Sequence, residues 1–231
     1  MSFSRIALSS LVVAALAGSA SAAYVDATFN GVAPGVWVNV SDTANSLSFG
    51  TQAGGFNWTR TGGTATDPYV SGSFVTFCID LKKHVGAGNN YSFSQTSLDM
   101  APTPSGNGVN YPMGATKADL LGRLWGAHRS SLVGDVMFGA FQLAIWEIVF
   151  ENSNTLSVSN GNFTATGDPG DPTSAISTAN AWLSAVAGEP AYGGLYALTG
   201  GEGGPQDQLV PTPGCLALAG FGGLALFRRR R

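Results

Sequence analysis

Asp135-Val136-Met137-Phe138-Gly139-Ala140-Phe141-Gln142-Leu143-Ala144-Ile145-Trp146-Glu147-Ile148-Val149-Phe150 is the stretch that decides the architecture. Asp135 is placed to cap a helix over residues 136–150. Within it only Gln142 and Glu147 are strongly polar. A helix apolar nearly all round is buried in a domain, and this one is too short to cross a membrane. Something must cover it on every side. Two neighbouring helices are predicted. One spans residues 116–131, with Leu120, Leu121, Leu124 and His128 at helical spacing. The other has Asp171 as N-cap and Pro172 at its first position. It carries Ile176, Ala179, Trp182, Leu183 and Val186 on one stripe, and Gly188 and Pro190 end it.

The remaining cover comes from the N-terminal half. Residues 24–29, 36–40, 47–49, 56–60, 73–81 and 91–94 read as short strands between Gly/Ser/Thr/Asn-rich turns. Residues 195–198 and 208–210 return to the sheet. The expected fold is α+β: an antiparallel β-sandwich or barrel with a small three-helix layer.

Composition narrows the class. The 231 residues are 44% hydrophobic and 11% charged, against ~25% charged in ordinary soluble domains. Glycine supplies 32. A disordered polyelectrolyte, a collagen, a disulfide-dense mini-protein and a coiled coil are excluded.

Both ends read as processing segments. Arg5, an apolar run over residues 6–17 and the small residues Ala20-Ser21-Ala22 form a secretory signal with cleavage at Ala20 and Ala22. A buried N-terminal helix is the alternative. At the other end, Pro211-Thr212-Pro213-Gly214 precedes an apolar segment, residues 215–227, and then Arg228-Arg229-Arg230-Arg231. That segment is short beside the ~20 residues of a stable transmembrane helix. The arginines would hold it on the cytoplasmic side. A transient membrane stop fits better than a permanent anchor. The domain between, residues 23–209, is single by its length.

The tail resembles the PEP-CTERM sorting signal of bacterial exosortase systems, over its last 22 residues, 210–231. Thr212 stands where the family usually has Glu. The resemblance implies export, transient retention in the inner membrane, cleavage near the prolines by an exosortase-type protease, and delivery to the surface or extracellular matrix. Loss of Arg5 and the four tail arginines takes Lys+Arg from 11 to 6 against 14 acidic residues, so the mature domain carries a formal −8. Such a charge disfavours nucleic acid and anionic membranes as partners.

Processing also removes Cys215, leaving Cys78 alone. A single cysteine in an exported chain is a free thiol, an intermolecular bridge or part of another covalent bond. On the strand over residues 73–81, Val75, Phe77, Ile79 and Leu81 form one face. Cys78 shares the other with Phe74, Thr76 and Asp80. On the helix, Phe138, Gln142 and Trp146 share a face. A buried primary amide there needs a partner, because an unpaired buried polar group costs ~1–3 kcal/mol.

Phe77-Cys78 and Ala140-Phe141-Gln142-Leu143-Ala144-Ile145-Trp146 resemble the two signature segments of bacterial thioester domains. The resemblance covers roughly residues 70–190. In that family a strand cysteine and a helix glutamine form an internal thioester in surface adhesion modules. It implies a Cys78–Gln142 bond in a water-excluding pocket of Phe77, Phe138, Ala140, Phe141, Ala144 and Trp146. Gly139 would let the Cys78 strand approach closely. An amine-bearing ligand or surface polysaccharide would be acylated once, without turnover. Lys82 and Lys83 are nearby amines that could quench such a bond. A buried inert cysteine and a glutamine bonded to a backbone carbonyl is the other reading.

Other chemistry is weakly signalled. His84 and His128 lack metal spacing, and no P-loop, dinucleotide fingerprint or nucleophile elbow is present. No metal or cofactor is expected. A cysteine hydrolase built on Cys78 and a histidine would lack any local motif. Glu147 and Glu151, four apart, read as an exposed helix end, and the Gly167–Asp171 turn lacks EF-hand spacing. The expectation is an exported adhesion or matrix protein rather than an enzyme.

Overall fold

The computed structural model describes residues 23–66, 70–104, 109–167 and 173–211. The signal-peptide residues Ala20 and Ala22, the helix-start residues Asp171 and Pro172, and the tail residues Thr212, Pro213, Gly214 and Arg228 to Arg231 lie outside them.

The described residues form nine strands and three α-helices: β1 (Tyr24–Asp42), β2 (Leu47–Gly62), β3 (Ser73–Cys78), β4 (Asn90–Ser97), β5 (Pro102–Pro104), β6 (Asn110–Pro112), α1 (Ala115–His128), α2 (Gly134–Phe150), β7 (Phe163–Gly167), α3 (Thr173–Ala185), β8 (Leu195–Thr199) and β9 (Gln208–Pro211). Strands β1, β2, β3, β9, β8 and β4 pair antiparallel in that order, and β4 returns to β1. This closes a six-stranded antiparallel barrel. β7 adds to the outer length of β1, and β5 and β6 form a separate ribbon. The α+β expectation holds, in its barrel form.

The first two predicted strands are one. Val25, Ala27 and Phe29 are buried at odd positions, whereas Val36, Val38 and Val40 are buried at even ones. Register shifts at Phe29/Gly31 and Val32/Gly35 flip the phase without breaking the ladder to β2. The alternation therefore reads as two strands with a loop between. The same effect hides β2, whose centre is the glycine pair Gly54-Gly55.

α2 lies against β1 and β2 on one side and α1 and α3 on the other. From Gly139 to Phe150 every residue is buried. Glycines set the close seat. A Cβ on Gly55 would stand 3.0 Å from the Phe138 ring, and one on Gly139 would collide with Val36. Gly139 thus admits β1 rather than the Cys78 strand, as its sequence position implied. Asp135 does not cap its own helix: α2 begins two residues before the predicted start, at Gly134 after Val133, and the Asp135 carboxylate accepts the Gly35 N–H at 3.0 Å. It pins the helix start to the β1 bend.

β3 ends at Cys78, three residues short of the predicted strand over 73–81. Val75 is 39% exposed while Phe77, Ile79 and Leu81 are buried, so the predicted apolar face is covered only toward its C-terminal end. Among the described residues no helix is long and apolar enough to cross a membrane.

Candidate functional site around Cys78 and Gln142

The β2–β3 ladder runs from Thr59↔Ser73 to Phe56↔Thr76 and stops there, at the Gly54-Gly55 pair of β2. On the other edge β3 continues against β9, pairing Cys78 with Gln208, and the Ile79 N–H is given to Asp207 O at 3.0 Å. Backbone groups alternate along a strand, so the N–H and C=O of Cys78 face the edge that β2 has left. Gln142 fills the gap. Its Oε1 accepts the Cys78 N–H at 2.9 Å and its Nε2 donates to the Cys78 carbonyl at 2.8 Å. The side-chain amide acts as one more peptide unit on the strand edge. Both residues are fully buried. The structure thus brings together the two residues singled out from sequence.

The thiol has its own contacts. Cys78 Sγ donates to Asp80 O at 3.0 Å and accepts the Asp80 N–H at 3.3 Å. Burial, followed by the charge of Asp80, pushes its pKa far up. The Asp80 backbone N–H favours the thiolate but does not outweigh burial, and the buried Trp146 indole N–H has no hydrogen-bond partner among the described residues. The thiol is therefore protonated at rest. Cys78 is a free cysteine in this structure.

The predicted wall residues divide into three groups. Trp146 stands by the sulfur. Phe77, on the opposite face of β3, stacks with Phe138 (centroids 5.9 Å apart) and meets Phe141 edge-on (4.8 Å). Trp125 of α1 joins them, 6.2 Å from Phe77 and 5.7 Å from Phe141. Trp125 was legible only as a residue beside the α1 stripe, one position after Leu124. Ala140 and Ala144 are buried, but each stands about 160° around the helix from Gln142. That places them away from the Cys78 strand; α3, which also packs on α2, contributes the fully buried Ala175 and Ala179.

A hydrogen-bonded chain extends from the thiol into the barrel. Gln206 Nε2 donates to Asp80 O at 3.0 Å, and Gln208 Nε2 to Gln206 O at 3.2 Å. Gln208 Oε1 accepts from Thr76 Oγ1 at 2.7 Å, and Thr76 Oγ1 accepts the Trp58 indole N–H at 2.8 Å. None of Gln206, Gln208 or Asp207 carried a sequence signal, because their role depends on β9 pairing with β3. The nearby amine is occupied: Lys83 Nζ bridges Asp80 (3.2 Å) and Asp207 (3.4 Å).

The two histidines do not join the site. His128 stacks on Trp182 at 4.2 Å, and His84 meets Phe49 edge-on at 6.1 Å. Glu147 and Glu151 are buried rather than exposed, which corrects the helix-end reading. Glu151 accepts the N–H groups of Asn152, Ser153 and Asn162. Burial opposes its ionisation, and these three bonds hold its carboxyl below the usual range nonetheless. Glu147 accepts the Ser157 N–H at 2.7 Å but leaves Oε2 without a partner among the described residues. Burial pushes it up to about 7. Among the described residues no three His, Cys, Asp or Glu side chains converge as a metal site requires. A cavity of about 740 Å³ lies between the ends of α1, α2 and α3 and includes neither Cys78 nor Gln142.

The chain matches no known protein family, no curated protein and no solved structure.

Proposed function

We propose that this is an exported bacterial surface or matrix protein whose barrel carries an internal Cys78–Gln142 thioester for single-use covalent attachment. The carrying observation is the Gln142 amide seated on the Cys78 peptide unit, in full burial, from an element 64 positions along the chain.

The chemistry is balanced without a co-reactant. The Cys78 sulfur bonds to Gln142 Cδ, the Cδ–Nε2 bond breaks, and the thiol proton departs with that nitrogen as ammonia. The Cys78 N–H already aims at Oε1 (2.9 Å), where negative charge develops during attack. A hydroxyl or amine of the target then breaks the S–Cδ bond and returns its proton to the sulfur. Water exclusion by Trp146 and the barrel protects the bond meanwhile.

Export by the signal, transient inner-membrane retention by the tail and cutting by an exosortase-type protease complete the reading. The target is an amine-bearing ligand or surface polysaccharide. One observation favours a second reading, a passive matrix protein: Gln142 is already hydrogen-bonded as an amide through both its oxygen and its nitrogen, so the pair also serves as a clamp between α2 and β3.

Intact mass of the secreted protein separates them. The thioester reading expects a deficit of one ammonia, lost on methylamine treatment with gain of the adduct, and absent in Cys78→Ala. Unmodified mass in the wild type rejects it. Surface attachment lost in a folded Cys78→Ala protein supports adhesion through this bond, and unchanged attachment favours the passive protein.

A further inference from the structure

We infer that the mouth of the barrel beside Trp37 is a binding site for a neutral sugar ring of a polysaccharide. This goes beyond the thioester reading and does not require that bond.

The platform comes first. Trp37 on β1 is 50% exposed, an uncommon placement for a tryptophan inside a paired strand. Its ring is nevertheless held. It lies on Gly50 of β2, where an added Cβ would stand 3.2 Å from the indole Nε1 and 3.5 Å from Cζ2. Glycine leaves one face of the indole packed on the sheet and the rest open to solvent. A fixed, exposed aromatic face is what the C–H face of a pyranose stacks upon.

The cavity comes second. Trp37 forms the rim of a pocket of about 300 Å³, with Phe49, His84 and Gln52 around the mouth and Gln206 and Trp146 deeper in. Its volume is at the lower end of small-ligand sites, large enough for one ring. The lining mixes aromatic carbon with side-chain amides and contains no Asp, Glu, Lys or Arg. Hydroxyl groups find donors and acceptors in the two glutamines.

Charge excludes the other flat or ring-shaped ligands. With no cation in the lining and a mature charge of −8, phosphates and nucleotides are repelled. With no carboxylate, an ammonium group has only the rings to attract it. A neutral ring with one apolar face and hydroxyls at its edge matches the whole lining. The pocket also reaches Trp146, the indole that stands by the Cys78 sulfur.

The test titrates the secreted protein with cello-, laminari- and malto-hexaose, following tryptophan fluorescence and heat. At least one is expected to saturate. Trp37→Ala should weaken that binding by about tenfold or more with an unchanged melting temperature, and Trp37→Phe should retain most of it. Gln52→Ala, which leaves every ring in place, should also weaken it and provides a second check. Cys78→Ala should bind as the wild type does, which separates this site from the thioester. The inference is overturned if none of the three saturates, if Trp37→Ala and Gln52→Ala both bind normally, or if choline binds as well as the sugars.

Discussion

α2 buries polar side chains on two sides, and the two sides are satisfied differently. Toward β3, Gln142 meets one peptide unit with one donor and one acceptor. Toward the segment after the helix, Glu147 and Glu151 offer acceptors only, and they gather loop N–H groups at residues 152, 153, 157 and 162. Glu147 ends one partner short among the described residues. These carboxylates also sit near the negative end of the helix dipole, which adds to their cost. A neutral amide can both give to and accept from a strand edge. A buried carboxylate must recruit donors one at a time. The first arrangement seats a side-chain amide on the Cys78 backbone. The second organises a loop.

The largest effect should follow Gln142→Leu. It leaves the Cys78 N–H and C=O unpaired in the core, at about 4 kcal/mol for the two groups together. Urea unfolding measures it. If Glu147→Leu costs as much, the proposed contrast between the two sides fails. Glu151→Ala comes next, at about 2–3 kcal/mol, since several loop N–H groups lose their acceptor. Faster amide exchange confined to residues 152–163 would locate the loss in the loop.

A pH series sharpens the carboxylate side. Burial raises the folded pKa of Glu147 to about 7, above its unfolded value of 4.5. Its neutral form is therefore the one the fold prefers. That contribution is fully present below pH 4.5 and is lost as pH rises through about 7. The wild type should lose about 1–2 kcal/mol between pH 5 and about 8 from this group, and Glu147→Gln should flatten that slope. Glu151 has the opposite sign: its depressed pKa gives stability above the usual carboxylate range that falls away in acid. The smallest effect should be Asp135→Ala, about 1 kcal/mol or less, because its bond to Gly35 is solvent-exposed.

What the sequence revealed follows from local patterning. The apolar run of α2 and the spacing of Leu121, Leu124, Ala179 and Leu183 are one-dimensional signals, and the helices appear where these predict. Cys78 and Gln142 were legible as an isolated thiol and a stranded amide. Their meeting depends on β2 leaving β3 at Gly54-Gly55, which no periodicity announces. β1 was read as two strands because its bulges change the phase between Phe29 and Val36. β7 was missed because Phe163–Gly167 becomes a strand only against the outer length of β1. Glu147 and Glu151 looked exposed because their partners are backbone N–H groups, invisible in residue identities.

The pairing of β3 with β9 has a consequence for biogenesis. Residues 77 and 78 find their sheet neighbours only at residues 208 and 209, so the cylinder cannot shut until almost the whole domain has been made. Such long-range closure is slow relative to helix formation. Until it happens, β3 and β8 present open edges and the Cys78 thiol lacks its final shelter, a period of exposure to edge-to-edge association and to oxidants. The last strand to be made therefore ends the period in which Cys78 is open to such side reactions.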